Sequence, residues 1–138
     1  MTQLQWMLHL FNNIHYLKDA KGEDAIANQV AIELRNLSLD GKLNAVWFHV
    51  PNEHVIRDNV DRARIRKRQC LGMISGAPDF IFLMKDKSLQ IELKTDTGVL
   101  SDNQKSFKKW PEDKDVPYII AKSWNDVKNT LKQHGFTN

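Results

Sequence analysis

Cysteine is almost absent: Cys70 stands alone among 138 residues. A single thiol closes no intrachain disulfide and builds no cysteine-rich zinc site, and it suits a reducing compartment. No uninterrupted apolar run approaches transmembrane length, so no membrane association is expected. The first residues lack a basic leader and a small-residue cleavage site, and His9, Asn12 and Asn13 interrupt their apolar run. An intracellular, cytoplasmic location is the expectation. Internal repeats and low-complexity linkers are also missing, which leaves residues 1–138 as one domain, large enough for a single core without staples.

Charge of one sign is scarce overall, at a net +3, and that alone decides nothing about partners. Its distribution is more informative. Between residues 57 and 71, Arg57, Arg62, Arg64, Arg66, Lys67 and Arg68 face only Asp58 and Asp61, a local +4 that exceeds the net charge of the chain. Such a stripe can hold phosphates by counterion release, or it can be a solvated, mobile loop. It contains no aromatic residue to stack on bases, so contact with a phosphate backbone is favoured over sequence reading.

The stretch from Gly76 to Lys94 organises the rest. Asp79 to Met84 is a near-continuous apolar run, as in a strand buried on both faces. Leu89 to Lys94 alternates, with Leu89, Ile91 and Leu93 on one side and Gln90, Glu92 and Lys94 on the other. Pro78, lacking an N–H, suits the start of a strand. An antiparallel hairpin with residues 85–88 as its loop sets Met84 opposite Leu89, Ile81 opposite Glu92 and Asp79 opposite Lys94. Asp79, Glu92 and Lys94 then converge on one patch. A loop one residue longer or shorter would break that coincidence. Two carboxylates and an ammonium at the end of a buried hairpin are unfavourable to assemble for stability alone. They suit a divalent cation, which takes hard oxygen ligands. The bland alternative is a salt-bridged surface patch.

The remaining elements follow from periodicity. Leu4, Met7, Leu8, Phe11 and Ile14 mark a helix over residues 4–17, apolar nearly all round, that packs on the core or against a second copy. A second helix spans Glu23 to Leu37, with Glu23 and Asp24 favoured in its first turn by the helix dipole. A strand covers Ala45 to Val50, after which His49 to Glu53 form a polar corner. As a lone histidine at a strand end, His49 reads first as a structural hydrogen-bonder. Ser101 and Gln104 make a capping box for a helix that ends at Trp110-Pro111. Pro117 to Ala121 reads as a buried strand, and Ser123 and Asp126 cap a last helix that ends at Gly135. The order predicts an α/β domain, a mixed β-sheet flanked by helices.

Pro78-Asp79, twelve further residues, then Glu92-Leu93-Lys94 resembles the PD-(D/E)xK signature of metal-dependent nucleases. His49-Val50-Pro51-Asn52-Glu53, Gly72 to Asp79, and Leu100-Ser101-Asp102-Asn103-Gln104 resemble its VRR-NUC branch, across roughly Glu23 to Leu131. The resemblance implies a restriction-endonuclease-like core over 22–134, with 1–21 as a helical extension outside the family pattern. It implies that Asp79, Glu92 and the carbonyl of Leu93 hold Mg²⁺ or Mn²⁺, that Lys94 orients and helps deprotonate the attacking water, and that Gln104 borders the site. An early helical glutamate is also implied near the metal, Glu23 in preference to Glu33. Arg62, Arg64, Arg66, Lys67, Arg68 and Lys105 become candidate phosphate contacts, and His49 and Asn52 candidate substrate contacts. The activity implied is DNA endonuclease, structure-selective or nicking, acting on branched or nicked duplex as a homodimer. A sequence-specific restriction-type nuclease has little room for a reading domain in this length. A binding module that keeps the fold without cleaving is the alternative of a different class.

Overall fold

The computed structural model describes residues 1–11, 16–51 and 56–138. Among these residues, nine elements run in the order α1 (Gln3–Leu10), α2 (Gly22–Leu39), β1 (Val46–His49), α3 (Asn59–Cys70), β2 (Phe80–Leu83), β3 (Ser88–Leu93), α4 (Asp102–Asp113), β4 (Tyr118–Ala121) and α5 (Trp124–Gln133). The four strands form one sheet in the order β1-β2-β3-β4. β1, β2 and β3 are antiparallel neighbours, and β4 lies parallel to β3. A parallel neighbour needs a crossover, which α4 supplies. The result is the expected mixed sheet flanked by helices, in a restriction-endonuclease-like arrangement.

The core lies between one face of the sheet and the helices α2 and α5. Phe80, Phe82, Leu89, Ile91, Leu93 and Ala121 meet Val30 and Leu34 from α2 and Val127 and Leu131 from α5. Their spacing explains the fit: strand residues two apart share a face, and helix residues four apart share a stripe. Phe136 closes one end, edge-on to Phe82 with ring centroids 6.2 Å apart. Trp47 is held to α2 by its indole N–H, which donates to Ser38 Oγ at 2.9 Å.

The hairpin forms in a different register from the one the loop length suggested. Leu83 opposes Ser88, Phe82 opposes Leu89 and Phe80 opposes Ile91, because the turn closes over residues 84–87, where Met84 N–H donates to Lys87 O at 2.8 Å. This is a displacement of two residues. A strand repeats every two, so every side chain keeps its expected face. One step further along the same register, Asp79 stands opposite Glu92, with Lys94 beyond.

Four other expectations are corrected. β2 is buried on one face only, with Ile81 half-buried and Leu83 exposed. The basic segment is a helix, α3, capped by Asp58, whose side chain accepts from Asp61 N–H, and it buries no residue. Pro111 lies inside α4, near its C-terminal end, and is buried. A proline there forfeits one late hydrogen bond, and its ring packs inward instead. The N-terminal helix ends at Leu10 and buries none of its side chains, leaving Leu4, Trp6, Leu8 and Leu10 exposed. Ile14, placed on that helix by its periodicity, lies outside the described residues.

Candidate active site

Asp79 comes just before β2, Glu92 lies at the end of β3 with Lys94 just after it, Gln104 is in the first turn of α4, and Glu23 is in the first turn of α2. The sheet and two helix N-termini bring these five together. Asp79 is 8% exposed, Glu92 1% and Lys94 7%, so three ionisable groups sit out of water beside one another. Asp79 Oδ2 accepts from Leu93 N–H at 2.7 Å, which ties the first acid to the strand that carries the second. Lys94 Nζ is 3.6 Å from Glu92 Oε1 and 3.4 Å from Glu23 Oε1. Of the two glutamates of α2, Glu23 reaches Lys94. Glu33 lies ten residues along the helix, roughly 15 Å away along its axis.

Gln104 has two jobs in one side chain. Its Oε1 accepts from Ser101 N–H at 2.9 Å, completing the capping box, while its Nε2 donates to Glu92 Oε1 at 2.5 Å. The cap thus fixes the amide against the acid. Gly76 makes this approach feasible. It has φ +89°, and an added Cβ would fall 2.3 Å from Asn103 O and 2.8 Å from Gln104 N, so only glycine lets the loop after α3 lie against the first turn of α4.

His49 plays the structural part read from its position. Asp79 O accepts from Val50 N–H at 2.8 Å and lies 2.8 Å from His49 Nδ1, a contact that requires the proton on Nδ1. Its ring also packs at 5.1 Å from Phe80. A cavity of about 190 Å³ opens in front of these residues, lined by Glu23, Asp24, His49, Pro51, Asp79 and Leu93 among others.

No family model and no curated protein matches this chain. The solved structure of a protein described as "VRR_NUC domain protein" superimposes with a TM-score of 0.59, covering 82% of this chain and 91% of that one at 18% sequence identity.

The fold is that of a VRR_NUC domain protein.

Within this VRR_NUC fold the electrostatics of the acid pair follow from burial. Loss of water raises the Asp79 pKa, in spite of the Leu93 N–H and the charges of His49 and Lys94. Glu92 is pushed up to about 8, first by burial and then by the negative charge of Asp79, with Lys94 opposing. Glu92 Oε2 is buried and has no hydrogen-bond partner among the described residues. A hard divalent cation would fit such a site: it would satisfy that oxygen and offset the negative charge of Asp79 that helps raise the Glu92 pKa. Among the described residues no three His, Cys, Asp or Glu side chains form a ready-made cage. The side chains open to such an ion would be the two carboxylates, with Glu23 turned towards Lys94.

The other candidates are more dispersed within the VRR_NUC fold. Arg62, Arg64, Arg66, Lys67 and Arg68 project from α3 and are exposed, as is Lys105 on α4. Arg57 is partly neutralised by Asp61, 3.1 Å away, and this bond holds the Asp61 carboxyl below its ordinary value. Asn52 lies outside the described residues. Tyr118 was not evident from the sequence. It is buried, its hydroxyl has no partner among the described residues, and burial, then the charges of Glu92 and Asp79, raise its pKa. Only the β3–β4 register, with Tyr118 opposite Gln90, brings it near Glu92.

Proposed function

We propose that this protein is a metal-dependent DNA endonuclease that hydrolyses phosphodiester bonds, selecting branched or nicked duplex. The observation that carries the reading is the juxtaposition of buried Asp79 and Glu92 with Lys94 Nζ 3.6 Å from the second acid. Asp79, Glu92 and the Leu93 carbonyl would hold Mg²⁺ or Mn²⁺. The ion, when bound, polarises the phosphoryl group and neutralises the charge that builds on its oxygens. Lys94 Nζ, held by Glu23 and Glu92, orients the attacking water and, as a cation, favours its loss of a proton to solvent. Gln104 keeps Glu92 aimed, and Glu23 keeps Lys94 aimed. The phosphorus–oxygen bond to the leaving strand breaks as the water oxygen bonds to phosphorus. Phosphates on either side would lie against the cations of α3 and Lys105, with His49 at the edge of the cleft; Asn52, outside the described residues, is a further candidate contact by its place in the sequence. A homodimer, joined through the exposed apolar side chains of α1, would place two such sites for paired cuts in a junction.

The absence of a ready-made three-residue cage among the described residues favours one second reading: a DNA-binding module that does not cleave. A panel of four-way, flapped, nicked and linear DNAs with Mg²⁺ or Mn²⁺ separates the two. Wild type is expected to cut at least one of them, and Lys94→Ala to cut it about 100-fold more slowly or worse. Equal cutting by both removes Lys94 from the chemistry. Binding without cutting, unchanged by Asp79→Ala, establishes the module instead.

A further inference from the structure

A second cavity of about 600 Å³ lies between α1, α2 and β1, and it shares Asp24, Ala27 and His49 with the smaller cavity at the acid pair. One wall is aromatic. The Phe11 and Trp47 rings stack at 6.1 Å, Trp47 and Phe80 lie 6.2 Å apart, and His49 follows at 5.1 Å from Phe80. Arg35 of α2 faces the same space, and its Nε is buried without a hydrogen-bond partner among the described residues. Leu17 and Asn28 also line this space, joined where Leu17 N–H donates to Asn28 Oδ1 at 2.8 Å.

We propose that this groove binds a single unpaired nucleotide of the DNA strand, next to the phosphate that is cut. The proposal rests on the endonuclease reading and specifies its substrate: a strand bearing an extruded or flapped nucleotide at the cleavage point. Three features point to that occupant. The groove adjoins the smaller cavity, sharing Asp24, Ala27 and His49 with it, so a strand whose phosphate sits at Asp79 and Glu92 has the groove as its neighbour. Phe80 is buried behind its aromatic side, but Phe11 and Trp47 are part-exposed and His49 is exposed, so they offer ring edges or faces to a base, which stacks without regard to sequence. The unsatisfied Arg35 N–H is a donor for a base carbonyl or ring nitrogen, or for the phosphate that follows. A paired base has its hydrogen-bonding edge engaged and both faces covered by neighbours, so only an unpaired one can exploit all three. The aromatic residues that the basic helix α3 lacks are thus supplied from another part of the fold.

The test uses the full chain carrying Asp79→Asn, to block cutting, and three duplexes of one sequence: nicked with one unpaired 2-aminopurine nucleotide, the same with an abasic residue there, and fully paired. Binding is followed by anisotropy and stacking by 2-aminopurine fluorescence. The base-bearing DNA is expected to bind about tenfold more tightly than the abasic one, with its fluorescence quenched. Arg35→Gln is expected to shrink that difference to about twofold, with an unchanged melt and unchanged affinity for paired DNA. Equal binding of base-bearing and abasic DNA by the folded protein overturns the proposal, whatever the state of Arg35→Gln. If wild type still cuts with Mn²⁺ in that case, the endonuclease reading survives alone. Base-dependent binding without any cutting by wild type keeps the groove and removes the endonuclease reading. A dimer that dissociates in Arg35→Gln, with no base dependence, assigns the groove to a second copy and overturns the proposal.

Discussion

Glu92 shows how a single side chain can reveal what it is built for. Its pKa in the fold stands near 8, against 4.5 in an open chain, through burial and the neighbouring charge of Asp79. Below pH 4.5 both folded and unfolded states carry the proton, and the group contributes nothing to pH dependence. Between 4.5 and 8 the unfolded chain releases the proton while the folded one keeps it, so stability falls as pH rises and is lost in full above 8. The raised value of Asp79 acts in the same direction. In EDTA, the melting temperature at pH 8.5 is therefore expected to lie roughly 5–10 °C below that at pH 5.5, from a loss of a few kcal/mol. Added Mn²⁺ is expected to raise the pH 8.5 value and leave pH 5.5 nearly unchanged, because only ionised carboxylates bind the ion. A melt in EDTA that climbs with pH would mean that neither acid is buried as described. Sequence alone brought Asp79, Glu92 and Lys94 to one face, because strand periodicity is insensitive to a shift of two residues. It could not rank their burial, which depends on how α2 and α4 cover the ends of β2 and β3.

At the scale of elements, what could be read depended on whether an element carries an apolar stripe. α2, α5 and the strands do, and their places match the periodicity. α3 does not. Its charge masks any stripe, and the one local sign of a helix was Asp58 three residues ahead of Asp61, a cap that accepts the Asp61 N–H at 2.9 Å. Gly76 carried no visible meaning either, since the backbone it must fit belongs to α4, 27 residues on. The exposure of α3 makes it separable from the fold. Arg64→Gln with Arg68→Gln removes two cations four residues apart on a helix that buries nothing. The expected result is a weaker affinity for every DNA shape alike, with the slope of log affinity against log salt reduced by up to about two. The melting temperature should stay within about 1 °C, since exposed charges contribute little. A selective loss for one DNA shape would instead place α3 in structure recognition, and no loss would make it a solvated helix.

For the whole molecule, the sheet settles why a small chain can gather the five residues of one site from four elements. The N-terminal turns of α2 and α4 both reach the end of the sheet where β2 begins and β3 ends, so Glu23, Asp79, Glu92, Lys94 and Gln104 meet without any long loop. The structure described as a VRR_NUC domain protein shares the fold over 82% of the chain. α1 is a different matter. Its apolar residues gave a strong helical signal but no address, and in the fold Leu4, Trp6, Leu8 and Leu10 remain exposed. Exposed apolar side chains at such density suit a contact surface, and a second copy is the occupant proposed for it. If that contact is a second copy, Leu4→Gln with Leu8→Gln, one turn apart on the same stripe, should turn a sedimenting dimer into a monomer with an unchanged monomer melt. Paired cuts in a four-way junction should then give way to single nicks, because each protomer keeps its own acid pair. A wild type that sediments as a monomer at tens of micromolar would remove the dimer, and with it the symmetric cutting of junctions, leaving the nicking activity to be carried by one chain.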